Sequence, residues 1–119
     1  MSQRATVLQE TATPTHEQIV CPVARTAEII SGKWTLLIIR DLTTGTKRFS
    51  ELERSLVGIS PKTLSERLTA LERESVLSRR TYAEVPPKVE YSLTEKGQAL
   101  ADVIEAMRTY GKSWLGCGE

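Results

Sequence analysis

Two cysteines, one histidine and a short run of hydroxyl-bearing and charged side chains are where this 119-residue sequence can do chemistry. Cys21 precedes Pro22, and proline favours the first helical position, so the thiol falls at a predicted N-cap. There it meets the positive end of the helix dipole, which favours thiolate over thiol. Arg25 stands one turn on, and helical side chains lean toward the N-terminus, so its guanidinium is expected to approach the sulfur. A thiolate so placed is open to oxidants and electrophiles. The plainer reading is a small hydrophobe buried at a helix start. Cys117 lies in Gly116-Cys117-Gly118-Glu119, either as a resolving partner within or between subunits or as inert tail. Spacing alone sets no distance between the two thiols. Two cysteines so far apart form neither a zinc site nor a disulfide scaffold. With no metal-ligand spacing, no phosphate loop and His16 in a polar arm, no catalytic residue, metal or cofactor is predicted. An enzyme is the least favoured class.

The second chemical surface is the stretch 58–73. Ser60 is a capping residue and Pro61 suits the first helical position. Leu64, Leu68 and Leu71 follow at i, i+4 and i+7 and share one face. At about 100° per residue, Lys62, Glu66, Thr69 and Arg73 point the opposite way, with Thr63, Ser65 and Ala70 on the flanks. A helix with an apolar back and a front of donors and small side chains suits the major groove of DNA. On this stretch alone an ordinary surface helix is the preferred explanation, and the neighbours decide.

Residues 22–31 carry Val23, Ala27 and Ile30 at helical spacing, with Gly32 closing the helix. A second helix over 34–42 is apolar almost all round and belongs in the core. After a break at 43–46, Ser50 and Glu53 form a capping box for a third helix over 51–56, with Leu52 and Leu56 facing inward. Val57-Gly58-Ile59 turns tightly into the Ser60 helix, and the pair reads as a helix-turn-helix. Residues 76–82 and 89–93 read as strands, the second from Val89, Tyr91 and Leu93 alternating with Glu90 and Ser92. The prolines between them prevent pairing along the whole connection. A hairpin directly after such a helix, with Arg79, Arg80 and Lys88 on or near it, is a wing. Thr94 then caps a long helix reaching about Trp114. Its stripe of Leu100, Val103, Ile104, Met107, Tyr110, Gly111 and Trp114 exceeds what the core behind the wing needs. A dimer interface is preferred to simple packing within the domain, because a reader of two half-sites needs two-fold symmetry. Residues 1–20 are a polar arm in which Val7 and Leu8 can start a short helix ended by Pro14.

A chain of this length fits one domain, and 39% hydrophobic with 26% charged residues is ordinary for a soluble protein. A net charge of +1 gives no global pull toward nucleic acid. Between 60 and 88, Lys62, Arg67, Arg73, Arg79, Arg80 and Lys88 only slightly outweigh Glu66, Glu72, Glu74 and Glu84. A few well-placed cations, not a broad basic field, must hold phosphate. No apolar run approaches the ~20 residues of a membrane span, and residues 1–6 lack the apolar core of a secretory signal. A cytoplasmic location without membrane partners is expected.

Cys21-Pro22, Gly32-Lys33-Trp34, Arg48-Phe49-Ser50-Glu51-Leu52, Gly58-Ile59-Ser60, Leu71-Glu72 and above all Val85-Pro86-Pro87-Lys88-Val89-Glu90-Tyr91-Ser92-Leu93-Thr94 can be set against a family. Together they resemble the HxlR-type winged-helix transcriptional regulators, small relatives of the MarR type. The match runs from Cys21 to about Gly97. The expected fold is mainly α with a small β-hairpin wing: a polar arm at 1–20, a winged helix-turn-helix domain at 21–93 and a C-terminal dimerisation helix and tail at 94–119. The resemblance implies a homodimer on a palindromic operator in double-stranded DNA, with the Ser60 helix in the major groove and the wing tip on minor-groove phosphate. It also implies that the cysteine of the Cys-Pro pair senses a quinone, aldehyde, other electrophile or oxidant. One position departs from the pattern. Where the family usually ends the helix with glycine, this chain has Ser75, so either a left-handed serine costing ~1 kcal/mol or a different helix end is expected.

The leading expectation is a thiol-responsive repressor controlled through Cys21, with Cys117 as its candidate partner. Ser60, Lys62, Thr63, Ser65, Glu66 and Thr69 would face base edges or nearby phosphate. Arg67, nearer the buried edge, would reach back to phosphate, and Arg79, Arg80 and Lys88 would supply wing-side charge. One alternative is a MarR-like regulator holding a non-covalent apolar effector in a cleft between core and dimer helices. Another is a winged-helix module for protein contact alone.

Overall fold

The computed structural model describes residues 21–118, so the expected arm with Val7, Leu8 and His16 lies outside the described residues. The elements run α1 (Pro22–Ile30), α2 (Lys33–Leu42), β1 (Lys47–Arg48), α3 (Phe49–Ser55), α4 (Pro61–Arg73), β2 (Leu77–Tyr82), β3 (Lys88–Leu93), α5 (Glu95–Gln98) and α6 (Ala101–Trp114). The fold is the mainly helical, winged one expected. Ile38, Ile39 and Leu42 of α2, Leu52 of α3 and Leu64, Leu68 and Leu71 of α4 are buried in one cluster with Val76, Leu77 and Ile104. Each such side chain contributes about 1.5–3 kcal/mol by leaving water. Three leucines on one face therefore fix how α4 is rotated, and its opposite face is left to solvent.

The start of α3 differs from the expected capping box. The helix begins at Phe49 with Arg48 as N-cap, and the Arg48 N–H donates to the Glu51 carboxylate at 2.8 Å. Glu51, not Glu53, closes the first turn. The reason is β1: Lys47 and Arg48 pair antiparallel with Tyr91 and Glu90 of β3. That pairing holds the chain extended through Arg48, so Phe49 is the first residue free to turn. The sheet has three strands in the order β1-β3-β2, one more than the hairpin alone.

The end of α4 keeps the geometry that glycine usually supplies. Ser75 has φ 64. The Val76 N–H reaches the Leu71 carbonyl at 2.9 Å and the Ser75 N–H reaches that of Glu72 at 3.0 Å, the two bonds of a Schellman motif. The Thr94 hydroxyl donates to the Ser75 carbonyl at 2.6 Å, and Lys96 Nζ donates to that of Glu74 at 2.7 Å. These bonds tie the helix end to the chain after the wing. All use Ser75's backbone or none of it, so Ser75→Gly should keep them and remove the left-handed penalty. A gain of about 0.5–1 kcal/mol is expected, read as a higher urea midpoint with an unchanged slope.

The single long helix expected from Thr94 is two. Thr94 Oγ1 accepts from the Gly97 N–H at 3.1 Å and caps the short α5. The chain then turns at Ala99 and Leu100, where the Leu100 N–H bonds the Gly97 carbonyl, and α6 begins at Ala101. α5 is pressed onto the start of β2: a Cβ at Gly97 would lie 2.0 Å from the Val76 carbonyl oxygen. α6 buries Ile104 but leaves Met107, Tyr110 and Trp114 exposed, as α1 leaves Val23. Among the described residues no helix is long and apolar enough to cross a membrane.

Candidate nucleic-acid interface

The helix-turn-helix is α3, the turn 56–59 and α4. Gly58 takes φ 98 in that turn, a left-handed value that glycine adopts without strain. Ser60 Oγ accepts from the Thr63 N–H at 3.1 Å and donates to Thr63 Oγ1 at 3.0 Å. Both hydroxyls are thus engaged in the cap, and they fix where the first turn points. Lys62, Ser65, Glu66 and Thr69 are exposed. Lys62 and Glu66 stand 4.0 Å apart in an exposed i,i+4 pair, a contact too weak to hold either back from a partner.

The flanks of α4 face different neighbours. Ser65, Thr69 and Glu72 line a cleft against Arg79 and Tyr91 of the sheet. Arg67 lies on the other flank, beside Glu28, Ser31 and Thr35 of the α1–α2 corner. The wing cations are also divided. In the β2–β3 register Arg79 faces Tyr91 and Arg80 faces Glu90, and successive residues of a strand point to opposite faces. Arg79 therefore joins the α4 side of the sheet, while Arg80 shares the other face with Tyr82, Lys88 and Glu90. Arg80 lies over the Tyr82 ring at 5.1 Å and Lys88 at 4.6 Å. Lys88 also pairs with Glu90 at 3.4 Å, and the Tyr82 hydroxyl donates to Glu90 at 3.0 Å. Lys62 and Arg79 are thus cations beside the polar front of α4, whereas Arg73 lines the pocket on the Arg67 flank.

The Tyr82 hydroxyl first, then Lys88 and Arg48, hold the Glu90 carboxyl below the usual carboxylate range. These contacts form a clip of Tyr82 and Lys88 on Glu90, and because the folded value is lowered, its contribution is full above the ordinary carboxylate range and is lost as pH falls through the lowered value. Titration of the Tyr82 ring signals by NMR should show the clip opening only under acid. In Glu90→Gln, which has no charge to titrate, that transition should vanish.

The thiols lie at the two outer helices. Cys21 is exposed at the α1 N-cap, and the Arg25 guanidinium, expected near the sulfur, pairs instead with Glu28. Glu28 is three residues on, on the same helical face, and offers a full carboxylate charge. Cys117 is exposed, but its backbone folds back on α6, its N–H reaching the Gly111 carbonyl at 3.2 Å. Among the described residues no group of His, Cys, Asp and Glu is placed to hold a metal ion.

Sequence reasoning missed Arg48, which sits opposite Glu90 across β1–β3 and helps charge the wing base. The only signal for it was a basic pair, Lys47-Arg48, just ahead of a helix.

A capped helix with a polar front, backed by a sheet that carries its own cation, is an arrangement for entering a groove and holding phosphate. The HxlR-like helix-turn-helix family matches residues 29–118. The HTH-type transcriptional regulator sll1512 of Synechocystis is 40% identical over 81% of this chain and 71% of its own. The redox regulator HypR in its reduced form is 39% identical, with a TM-score of 0.75 over 78% of this chain and 92% of HypR. Diamide-treated YodB of B. subtilis is 37% identical, with a TM-score of 0.67 over 85% of this chain and 99% of YodB. With the fold, the capped helix-turn-helix and these relatives in agreement, the chain belongs to the HxlR-like helix-turn-helix family of transcriptional regulators.

Proposed function

We propose that the chain is a thiol-responsive repressor that works as a homodimer on a palindromic operator. The observation that carries this reading is the position of the two thiols. Cys21 precedes α1 and Cys117 follows α6, and these are the helices whose apolar residues Val23, Met107, Tyr110 and Trp114 lie open to solvent. Joining two copies through those faces would remove the apolar surface from water and set two copies of α4 on successive major grooves, about 34 Å apart. An electrophile such as a quinone or aldehyde would add bulk at Cys21. Under an oxidant such as diamide, Cys21 and Cys117 would form a disulfide within or between subunits, the two electrons and two protons passing to the oxidant. Either change at the seam would move the reading helices off their spacing and release DNA. HypR is a redox regulator and YodB has been solved after diamide treatment, which supports the same chemistry here.

A band shift on DNA upstream of the protein's own gene tests it. Diamide should weaken binding by wild type by about 10- to 100-fold and leave Cys21→Ser unchanged. Equal release from both would sink sensing through Cys21. A covalent dimer on non-reducing electrophoresis that disappears in Cys117→Ser would identify the partner thiol.

A second reading is favoured by one observation. A groove of about 270 Å³ lies between α2 and α6, walled by Leu36, Leu37, Ile104 and Met107 with Arg40 and Lys112 beside it. A MarR-like apolar effector would fit there without covalent chemistry. Effector-dependent release by Cys21→Ala would favour it.

A further inference from the structure

Thr35 is the polar residue in the core, only 5% exposed, and its hydroxyl has no hydrogen-bond partner among the described residues. Buried hydroxyls are almost always paired, so an orphan one calls for a physical account. Thr35 lines a pocket of about 180 Å³ between the α1–α2 corner and the flank of α4. Ser31, Arg67 and Arg73 line the same pocket, as do Glu28 and Glu74. Ser31 and Glu28 already have partners: the Ser31 hydroxyl donates to the Glu28 carbonyl, and the Glu28 carboxylate pairs with Arg25. Arg67 and Arg73 have no ion pair or hydrogen bond among the described residues. α2 starts at Gly32 with no side-chain cap, one turn before Thr35.

A buried donor without a partner and two unpaired guanidinium groups on one small polar pocket describe half of a binding site. We propose that the pocket takes the oxyanion head of a small molecule, a carboxylate or a phosphate. The Thr35 hydroxyl would donate to one oxygen and Arg67 would bind in fork geometry, with Arg73 at the rim. The Glu74 carboxylate offsets part of the positive charge, so a singly charged carboxylate suits the pocket better than a doubly charged phosphate. The volume admits a head group with a small body, not a large ligand. Such a ligand would tie the corner that follows α1 to the helix that reads DNA. Its effect on DNA rests on the function proposed above, whereas its binding does not.

The full-length protein should be titrated with sodium benzoate and, separately, sodium phosphate against sodium chloride at constant ionic strength, followed by amide NMR. The expected result is a saturable shift centred on Thr35 and Arg67, with benzoate ahead of phosphate. Thr35→Val keeps the shape and removes the hydroxyl, and Arg67→Gln lies on the surface side, so both should fold. Each should weaken benzoate binding by about tenfold or more. A non-saturable response, or one equal in all three proteins, overturns the proposal and leaves a pocket filled by water. If Arg67→Gln weakens DNA binding and leaves benzoate binding intact, Arg67 is a DNA-backbone contact and the proposal is likewise overturned. Saturable binding lost in both variants, with no change in DNA affinity on adding benzoate, upholds the site and removes only its regulatory consequence.

Discussion

Gly97→Ala is expected to cost about 3 kcal/mol or more, lowering the unfolding temperature by about 10–20 °C. The added methyl would stand 2.0 Å from the Val76 carbonyl oxygen and 3.0 Å from Leu93 Cδ2. The leucine methyl can turn away, but the carbonyl cannot. It accepts the Thr94 N–H at 3.0 Å, and the Val76 N–H on its other side closes the end of α4 through Leu71. Val76 is fully buried besides. Relief would require α5 to lift off the sheet, freeing Thr94 and Lys96 from the end of α4. DNA affinity should therefore fall with stability at temperatures near the lowered midpoint. Thermal and urea unfolding of the purified variant check this, and a midpoint within two or three degrees of wild type (about 0.5 kcal/mol) would contradict the packing described.

Thr69→Glu should do the opposite: leave the fold intact and abolish operator binding. Thr69 is exposed on α4, opposite the leucine face, and glutamate is the better helix former. Its carboxylate would meet base edges and phosphate oxygens, a like-charge juxtaposition that costs several kcal/mol. A loss of about 100-fold or more in affinity at moderate salt follows. The wild-type complex should weaken steeply as salt rises, since cations displaced from phosphate drive much of its formation. If Thr69→Glu binds the operator within a factor of about three of wild type, well under one base contact, the polar front of α4 is not the reading surface.

How much of this could be read from the chain depended on the length over which a pattern repeats. α4 was legible in its start and its rotation: Ser60 and Pro61 gave the first turn, and Leu64, Leu68 and Leu71 the buried face, while Ser75 left its end open. The hairpin was legible because Val89, Tyr91 and Leu93 alternate. β1 was not, since two residues cannot show a period and Lys47 and Arg48 owe their strand to a partner far along the chain. The break between α5 and α6 was hidden by the apolar stripe, which runs through Leu100 and Val103 without a gap. The turn shows only in the backbone, where the Leu100 N–H bonds the Gly97 carbonyl. Side-chain pairing was the least legible. Helical geometry placed Arg25 near Cys21, but Glu28 competes for it, and nothing local to Arg67 reveals that Thr35 lies beside its flank.

With β3 in the middle of the sheet, β1 and β2 are its two margins, and among the described residues β2 carries six residues of backbone with one side unpaired. An open margin of that length invites a strand from another molecule. Ser78, Arg79, Arg80 and Thr81 are exposed along it, and two adjacent positive charges repel an identical strand. The arginines considered for phosphate thus also make β2 a poor template for a second copy of itself. Removing them with valine or isoleucine would confuse weak DNA binding with aggregation, whereas lysine or glutamine would separate the two.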